Sequence, residues 1–176
     1  MNWWIKVVAT FLLVVGTNLF FQKPSVIPHK PIEIPKEATS TAVVSPLMET
    51  ATVKRVVDGD TIELTDGSKL RYIGINAPEF IKCFGNESTL ENKKLVEGKD
   101  IRLEKDISQT DKYGRLLRYV YVGDIFINDY LVREGFAHAA TFPPDVRYAD
   151  QFRRAEQEAR ENNRGLWNGC KNPTPQ

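Results

Sequence analysis

Hydrophobic and polar positions alternate most clearly in "ATVKRVVDGDTIELTDGSKLRYIGI", which starts at Ala51. Ile62 and Leu64 interleave with Thr61, Glu63 and Thr65, the period of two expected of a half-buried strand. Asp58-Gly59 and Asp66-Gly67 are turn dipeptides, so the stretch predicts three strands. "GNESTLENKKLVEGK" then predicts a helix, with Asn86 or Ser88 as its cap and Gly98 as its stop. "IRLE" and "RLLRYVYV" predict two more strands, and "NDYLVREG" a short helix. Tyr148, Phe152, Ala155 and Ala159 recur at helical spacing, with Asp145 placed to cap that helix and Gly165 to end it. Leu166 and Trp167 are expected to fold back onto the core.

Five strands with a helix inserted after the third predict a mainly β, α+β domain: a small OB-type barrel with about three helices attached. Such barrels often bind oligonucleotides, but this likeness of fold does not establish function. The N-terminus is different in kind. "MNWWIKVVATFLLVVGTNLFF" is mostly apolar over residues 5–21 with one early charge, Lys6. That length is close to a membrane span and suits either a signal peptide or an N-terminal membrane anchor, with Trp3 and Trp4 at the interface. Five prolines follow, at Pro24, Pro28, Pro31, Pro35 and Pro46, and predict an extended linker. The expected organisation is therefore an apolar segment at 1–22, a linker at 23–48, a folded domain at 49–170 and a tail at 171–176.

Composition narrows the chemistry. The 176 residues carry a formal net charge of +1, so any anion site must be local and no global field draws the chain to nucleic acid. Two cysteines without a CxxC argue against a zinc site, and two histidines argue against a multi-histidine metal centre or a histidine triad.

Polar groups concentrate beside apolar strands in "VVDGDTI", "RYIGINAPE" and "TDKYGRLLRY". Asp60, Arg71, Glu79 and Arg115 are the kinds of group that phosphodiester cleavage needs. Guanidinium forks grip phosphate and neutralise developing charge, a carboxylate takes a proton from water, and oxygen ligands hold a hard cation. Taken singly, each has a plainer reading: Asp60 shapes a turn, Arg71 and Glu79 form a weak surface pair, and Arg115, Lys112 and Tyr113 are solvated loop residues. Strict alternation would also place Arg71 on the same face as the apolar Ile73 and Ile75, so its use requires a kink near Gly74.

The strings "ATVKRVVDGDTIEL", "LRYIGINAPE", "TDKYGR", "LVREGFA" and a terminal helix ending in "GLW" together resemble the staphylococcal nuclease (thermonuclease) family, over residues 51–167. The resemblance implies a five-stranded OB barrel with three helices. It also implies calcium-dependent hydrolysis of DNA and RNA that breaks the bond to the 5′ oxygen and leaves 3′-phosphate ends. Arg71 and Arg115 match the catalytic arginines, Glu79 the catalytic glutamate and Asp60 a calcium carboxylate. Lys112 and Tyr113 match residues near the nucleotide's terminal phosphate. Four departures stand out. Asn76 replaces a second calcium aspartate. Ala77 replaces a threonine whose carbonyl faces the metal. "FIKCF" is shorter than the family's mobile loop. "HAATFPPD" lacks the tyrosines found before the last helix, leaving Phe142 to stack on a base or fill the core.

The expected protein is thus a monomeric, exported or membrane-anchored, calcium-dependent nuclease; its rival is a non-catalytic nucleic-acid-binding OB module, in which Asn76 has disabled the metal site. Export favours a disulfide between Cys83 and Cys170, and a reducing compartment would leave two free thiols.

Overall fold

A computed structural model describes residues 48–171. The apolar N-terminal segment, all of the proline-rich stretch except Met48, and most of the tail lie outside the described residues. Five strands make the barrel: β1 (Glu49–Asp58), β2 (Thr61–Leu64), β3 (Lys69–Tyr72), β5 (Asp100–Glu104) and β6 (Leu116–Val122). Their order is β3-β2-β1-β5-β6, and β3 pairs in parallel with β6 to close the ring. In that closing pair Arg71 stands opposite Leu117 and Tyr72 opposite Arg118. Closure removes the exposed sheet edges that so short a sheet would otherwise present. The β1–β2 register shifts between Val53 and Arg55 and again between Val56 and Asp58, and such irregularities bend a strand sharply enough to curl a small sheet. A short β7 (Ile125–Phe126) turns back to pair antiparallel with the end of β6, while β4 (Ile75–Asn76) pairs with β8 (His138–Ala139) as a separate ribbon.

The helices pack outside the barrel: α1 (Gly85–Val96), α2 (Ile127–Arg133), α3 (Ala149–Glu161) and the single turn α4 (Leu166–Gly169). Val53, Ile62, Leu70, Val120, Leu131 and Phe152 are among the fully buried side chains of the common core. Phe152, Ala155 and Ala159 are the buried face of α3, matching the helical spacing of those positions. Among the described residues, no helix is long and apolar enough to cross a membrane.

The helix ends depart from expectation. Neither Asn86 nor Ser88 caps α1. Phe84 occupies its N-cap position in the left-handed region, and Ser88 Oγ lies 2.8 Å from the Phe84 carbonyl and 2.5 Å from the Phe136 carbonyl, tying α1 to the segment after α2. Asp145 does not cap α3, which begins four residues later; its carboxylate accepts the amides of Ile107 and Ser108 at 2.9 and 2.7 Å. Helix α3 ends at Glu161, with Asn163 taking the left-handed turn, and Gly165 precedes α4. Leu166 does fold into the core, while Trp167 is partly exposed with the Arg160 guanidinium stacked over it at 4.1 Å.

Candidate active site

The turn between β1 and β2 carries two carboxylates. Asp58 Oδ1 accepts the amide of Asp60 at 3.0 Å, the local bond that aspartate typically makes in turns. Gly59 between them has a steric role. A Cβ there would sit 2.5 Å from the Ala77 Cβ and 2.9 Å from the Ser88 Cβ, so only glycine lets the turn lie against the segment after β4. Buried Asn92 of α1 fixes the other side, donating to the Asp58 carbonyl at 3.0 Å and accepting from the Tyr72 hydroxyl at 2.9 Å. Asp60 is thereby almost fully buried, and its Oδ2 accepts the Ala77 amide at 2.6 Å.

The required kink is present. Gly74 has φ +78°, a region that disfavours side chains, and any Cβ on it would collide with the Phe152 ring. Fully buried Asn128 holds the bend from α2, donating to the Ile73 carbonyl and accepting the Val120 amide, each at 2.9 Å. Because β3 stops at Tyr72, Ile73 and Ile75 turn into the core while Arg71 stays at the barrel mouth. Its guanidinium bridges two side chains, with Nη1 3.0 Å from Asp60 Oδ2 and Nη2 donating to Asn76 Oδ1 at 2.9 Å.

Arg115 arrives from the loop before β6. Asp111 organises that loop by accepting the amides of Tyr113 and Arg115 at 2.9 and 3.0 Å and the Arg115 Nε at 2.7 Å. The Nε contact leaves the terminal guanidinium nitrogens as the edge a phosphate would meet. Asp60, Arg71, Asn76, Ala77, Glu79 and Arg115 all line one recess of about 180 Å³, together with Asp58. A larger groove of about 550 Å³ shares Arg71 and Arg115 and is walled by Lys112, Tyr113 and Phe142. Phe142 is 62% exposed, so its side chain is a wall of the groove and not part of the core.

Electrostatics distinguish the carboxylates. Burial pushes the Asp60 carboxyl up to about 7; the Arg71 guanidinium pulls it down in part and Asp58 pushes it further up. At Asp111 burial also opposes ionisation, but hydrogen bonds from the Arg115 side chain and from the Arg115 and Tyr113 amides prevail and hold the carboxyl below its ordinary range.

A family model described as staphylococcal nuclease homologue matches residues 69–169. The chain belongs to this family. It is 38% identical over 128 residues to the thermonuclease of Staphylococcus intermedius, covering 68% of this chain and 76% of that protein. Over 127 residues it is 38% identical to the SPbeta prophage-derived endonuclease YokF of Bacillus subtilis (strain 168), covering 66% of this chain but 43% of the relative. Endonuclease YncB of the same organism is 37% identical over 127 residues, covering 66% of this chain and 60% of the relative. The chain thus spans less than two thirds of the two Bacillus proteins.

Staphylococcal nuclease homologues typically depend on calcium, and the donors here suit a hard cation. The recess offers carboxylates at Asp58, Asp60 and Glu79, the Asn76 amide and the Ala77 backbone, with no sulfur or imidazole among its lining residues. A buried carboxylate with its proton affinity raised gains from a nearby cation, which is the state of Asp60. Yet no three His, Cys, Asp or Glu side chains converge as a metal cage among the described residues. A cation held there would rely on neutral oxygens and on substrate oxygens to complete its shell.

Sequence reasoning passed over four residues that build this site. In the sequence Asp58 stands only as part of a turn, and the patterns of type and spacing do not mark Asp111, Asn92 or Asn128 as site residues. The one usable clue is that Asp111 stands four residues before Arg115, inside a glycine-containing loop. Asn92 and Asn128 carried none, because a helical asparagine looks alike whether it is buried or solvated. The expected disulfide is present, joining Cys83 to Cys170 with their Cα atoms 5.9 Å apart.

Proposed function

We propose that the folded unit is a calcium-dependent nuclease that hydrolyses phosphodiester bonds of DNA or RNA and leaves 3′-phosphate ends. The observation that carries this reading is the convergence of Arg71, Arg115, Glu79 and Asp60 on one recess at the barrel mouth. Arg71 and Arg115 would bind the nonbridging oxygens and neutralise charge that grows on them in the transition state. Glu79 would take a proton from the attacking water as the new P–O bond forms. The bond from phosphorus to the 5′ oxygen breaks, and that oxygen leaves with the electron pair and is protonated by solvent. Asp60, Asn76 and Ala77 would hold calcium, whose positive charge, when bound, polarises a phosphoryl oxygen. Lys112 and Tyr113 would flank a terminal phosphate, and Phe142 would stack on a base in the adjoining groove.

The disulfide supports an extracytoplasmic location, since such bonds persist in oxidising compartments. Residues 1–22 would then serve as the export segment or anchor and 23–48 as the spacer of a monomeric enzyme. Digestion of single-stranded DNA with calcium, and again with chelator, tests the reading directly. Cutting that requires calcium and yields 3′-phosphate ends is the expected result. Cutting that survives chelation removes the metal role, and binding without cutting favours a non-catalytic module.

A further inference from the structure

The loop that follows Glu79 divides its apolar side chains in two directions. Phe84 turns inward, its ring 5.7 Å from that of Phe136 and within 3.1 Å of the position a Cβ on Gly169 would take. Phe80 and Ile81 turn outward and are 60% and 88% exposed. The backbone that carries the outward pair is tied at several points. Lys82 donates its amide to the Glu79 carbonyl at 2.8 Å and Gly85 donates to the Lys82 carbonyl at 3.0 Å, two turns in succession. Gly85 has no room for a side chain against the Glu79 carbonyl, and Cys83 is bonded to Cys170. These contacts flank Phe80 and Ile81 and leave both side chains facing solvent.

Position indicates what the tip meets. Phe80 is the next residue after Glu79, and consecutive Cα atoms lie about 3.8 Å apart. Glu79 lines the recess with Arg71 and Arg115, while Tyr113 and Phe142 wall the groove that shares those two arginines. The exposed tip therefore directly follows, along the chain, the residue that brings a carboxylate to the cationic recess, while aromatic side chains wall the groove that shares its two arginines. Lys82 adds a positive charge next to the tip, which suits a polyanion.

We propose that Phe80 and Ile81 form a second base-stacking shelf, which holds the unpaired nucleobase next to the scissile phosphate on the Glu79 side. This rests on the nuclease reading above. A sequence-tolerant face of one aromatic ring and one branched aliphatic chain takes any base, because every base has a π-face.

The test uses the full chain and a Phe80→Ala/Ile81→Ala variant with single-stranded oligonucleotides carrying one abasic nucleotide on either side of a defined cut. In the parent, the abasic nucleotide on the Glu79 side should lower kcat/KM by roughly tenfold. In the variant that penalty should vanish, while the penalty on the groove side persists. Equal penalties in parent and variant on both sides overturn the shelf. A second measurement does not depend on cutting. In a Glu79→Gln background, 2-aminopurine on the Glu79 side should lose fluorescence on binding, and the added Phe80→Ala/Ile81→Ala change should abolish that loss. Unchanged quenching overturns the proposal even if the enzyme proves inactive. Anionic vesicles provide the remaining arm: sedimentation of the parent with them that the double substitution removes, with base quenching unaffected, assigns the tip to a lipid surface instead.

Discussion

Asp60 carries the most consequential electrostatics of any residue described. Its carboxyl is raised to about 7, chiefly by burial. A raised acid stabilises the folded state only while it is protonated. The contribution is whole below about pH 4, the ordinary range for aspartate, and is lost as pH rises to about 7. In chelator, the stability difference between Asp60→Asn and the parent should therefore grow across that window, on the order of 2–4 kcal/mol in favour of the variant. Urea unfolding at several pH values measures it, and a difference independent of pH would exclude a buried, proton-retaining Asp60. Calcium should raise Tm more at pH 8 than at pH 5. Asn76 supplies the matching argument on affinity. Its amide oxygen accepts from Arg71 and brings a dipole where a carboxylate would bring a charge. Asn76→Asp should tighten calcium binding without substrate by roughly tenfold, since affinity follows the number of charged ligands. Calorimetric titrations of parent and variant that superimpose would remove Asn76 from the ion's surroundings. Glu79→Gln should lower kcat by about 10²–10⁴ with little change in substrate affinity, as expected for a lost proton acceptor; a near-normal kcat would remove Glu79 from the chemistry.

Between elements, the site depends on one interruption. If β3 continued into β4, Arg71 would share a face with Ile73 and Ile75 and point into the core. Gly74 breaks the run with a positive φ and a surface that Phe152 packs against. Gly74→Ala should cost about 2–4 kcal/mol by combining a disfavoured backbone with overpacking. Denaturant unfolding checks that figure, and turnover should fall as well, because the Arg71–Asn76 spacing depends on the bend. The sequence made this kink legible as a necessity, because an arginine in apolar alternation has no other escape. The strands and α3 were legible through strong periodicity, and the turn dipeptides separated the first strands. The helix ends were not. Ser88 and Asp145 look like caps in one dimension, but tertiary contacts gave their oxygens other partners: the Phe84 and Phe136 carbonyls for one, the amides of Ile107 and Ser108 for the other. Site residues that act through charge were readable from their type and spacing, whereas Asn92 and Asn128, which act from buried helix faces, were not.

At the scale of the whole described unit, the Cys83–Cys170 bond joins the loop after Glu79 to the end of α4 across a sequence separation of 87. Its effect should fall mainly on the unfolded chain. The native ends are already held by other contacts: Leu166 is buried and donates its amide to the Gly135 carbonyl at 2.8 Å, and Phe84 packs on Phe136. The chain-entropy account gives about 4–5 kcal/mol for a loop of this size. Much of that should appear as lost stability in a Cys83→Ala/Cys170→Ala variant, measured by guanidinium unfolding. Because the folded state keeps its own anchors, kcat at 25 °C should stay within about twofold of the parent, and the difference should emerge only near the lowered Tm. A variant as stable as the parent would show that the unfolded chain gains little freedom when the bond is removed. A variant that keeps its stability but loses turnover at 25 °C would instead place the bond's role in the native loop, as the clamp that holds Glu79 at the recess.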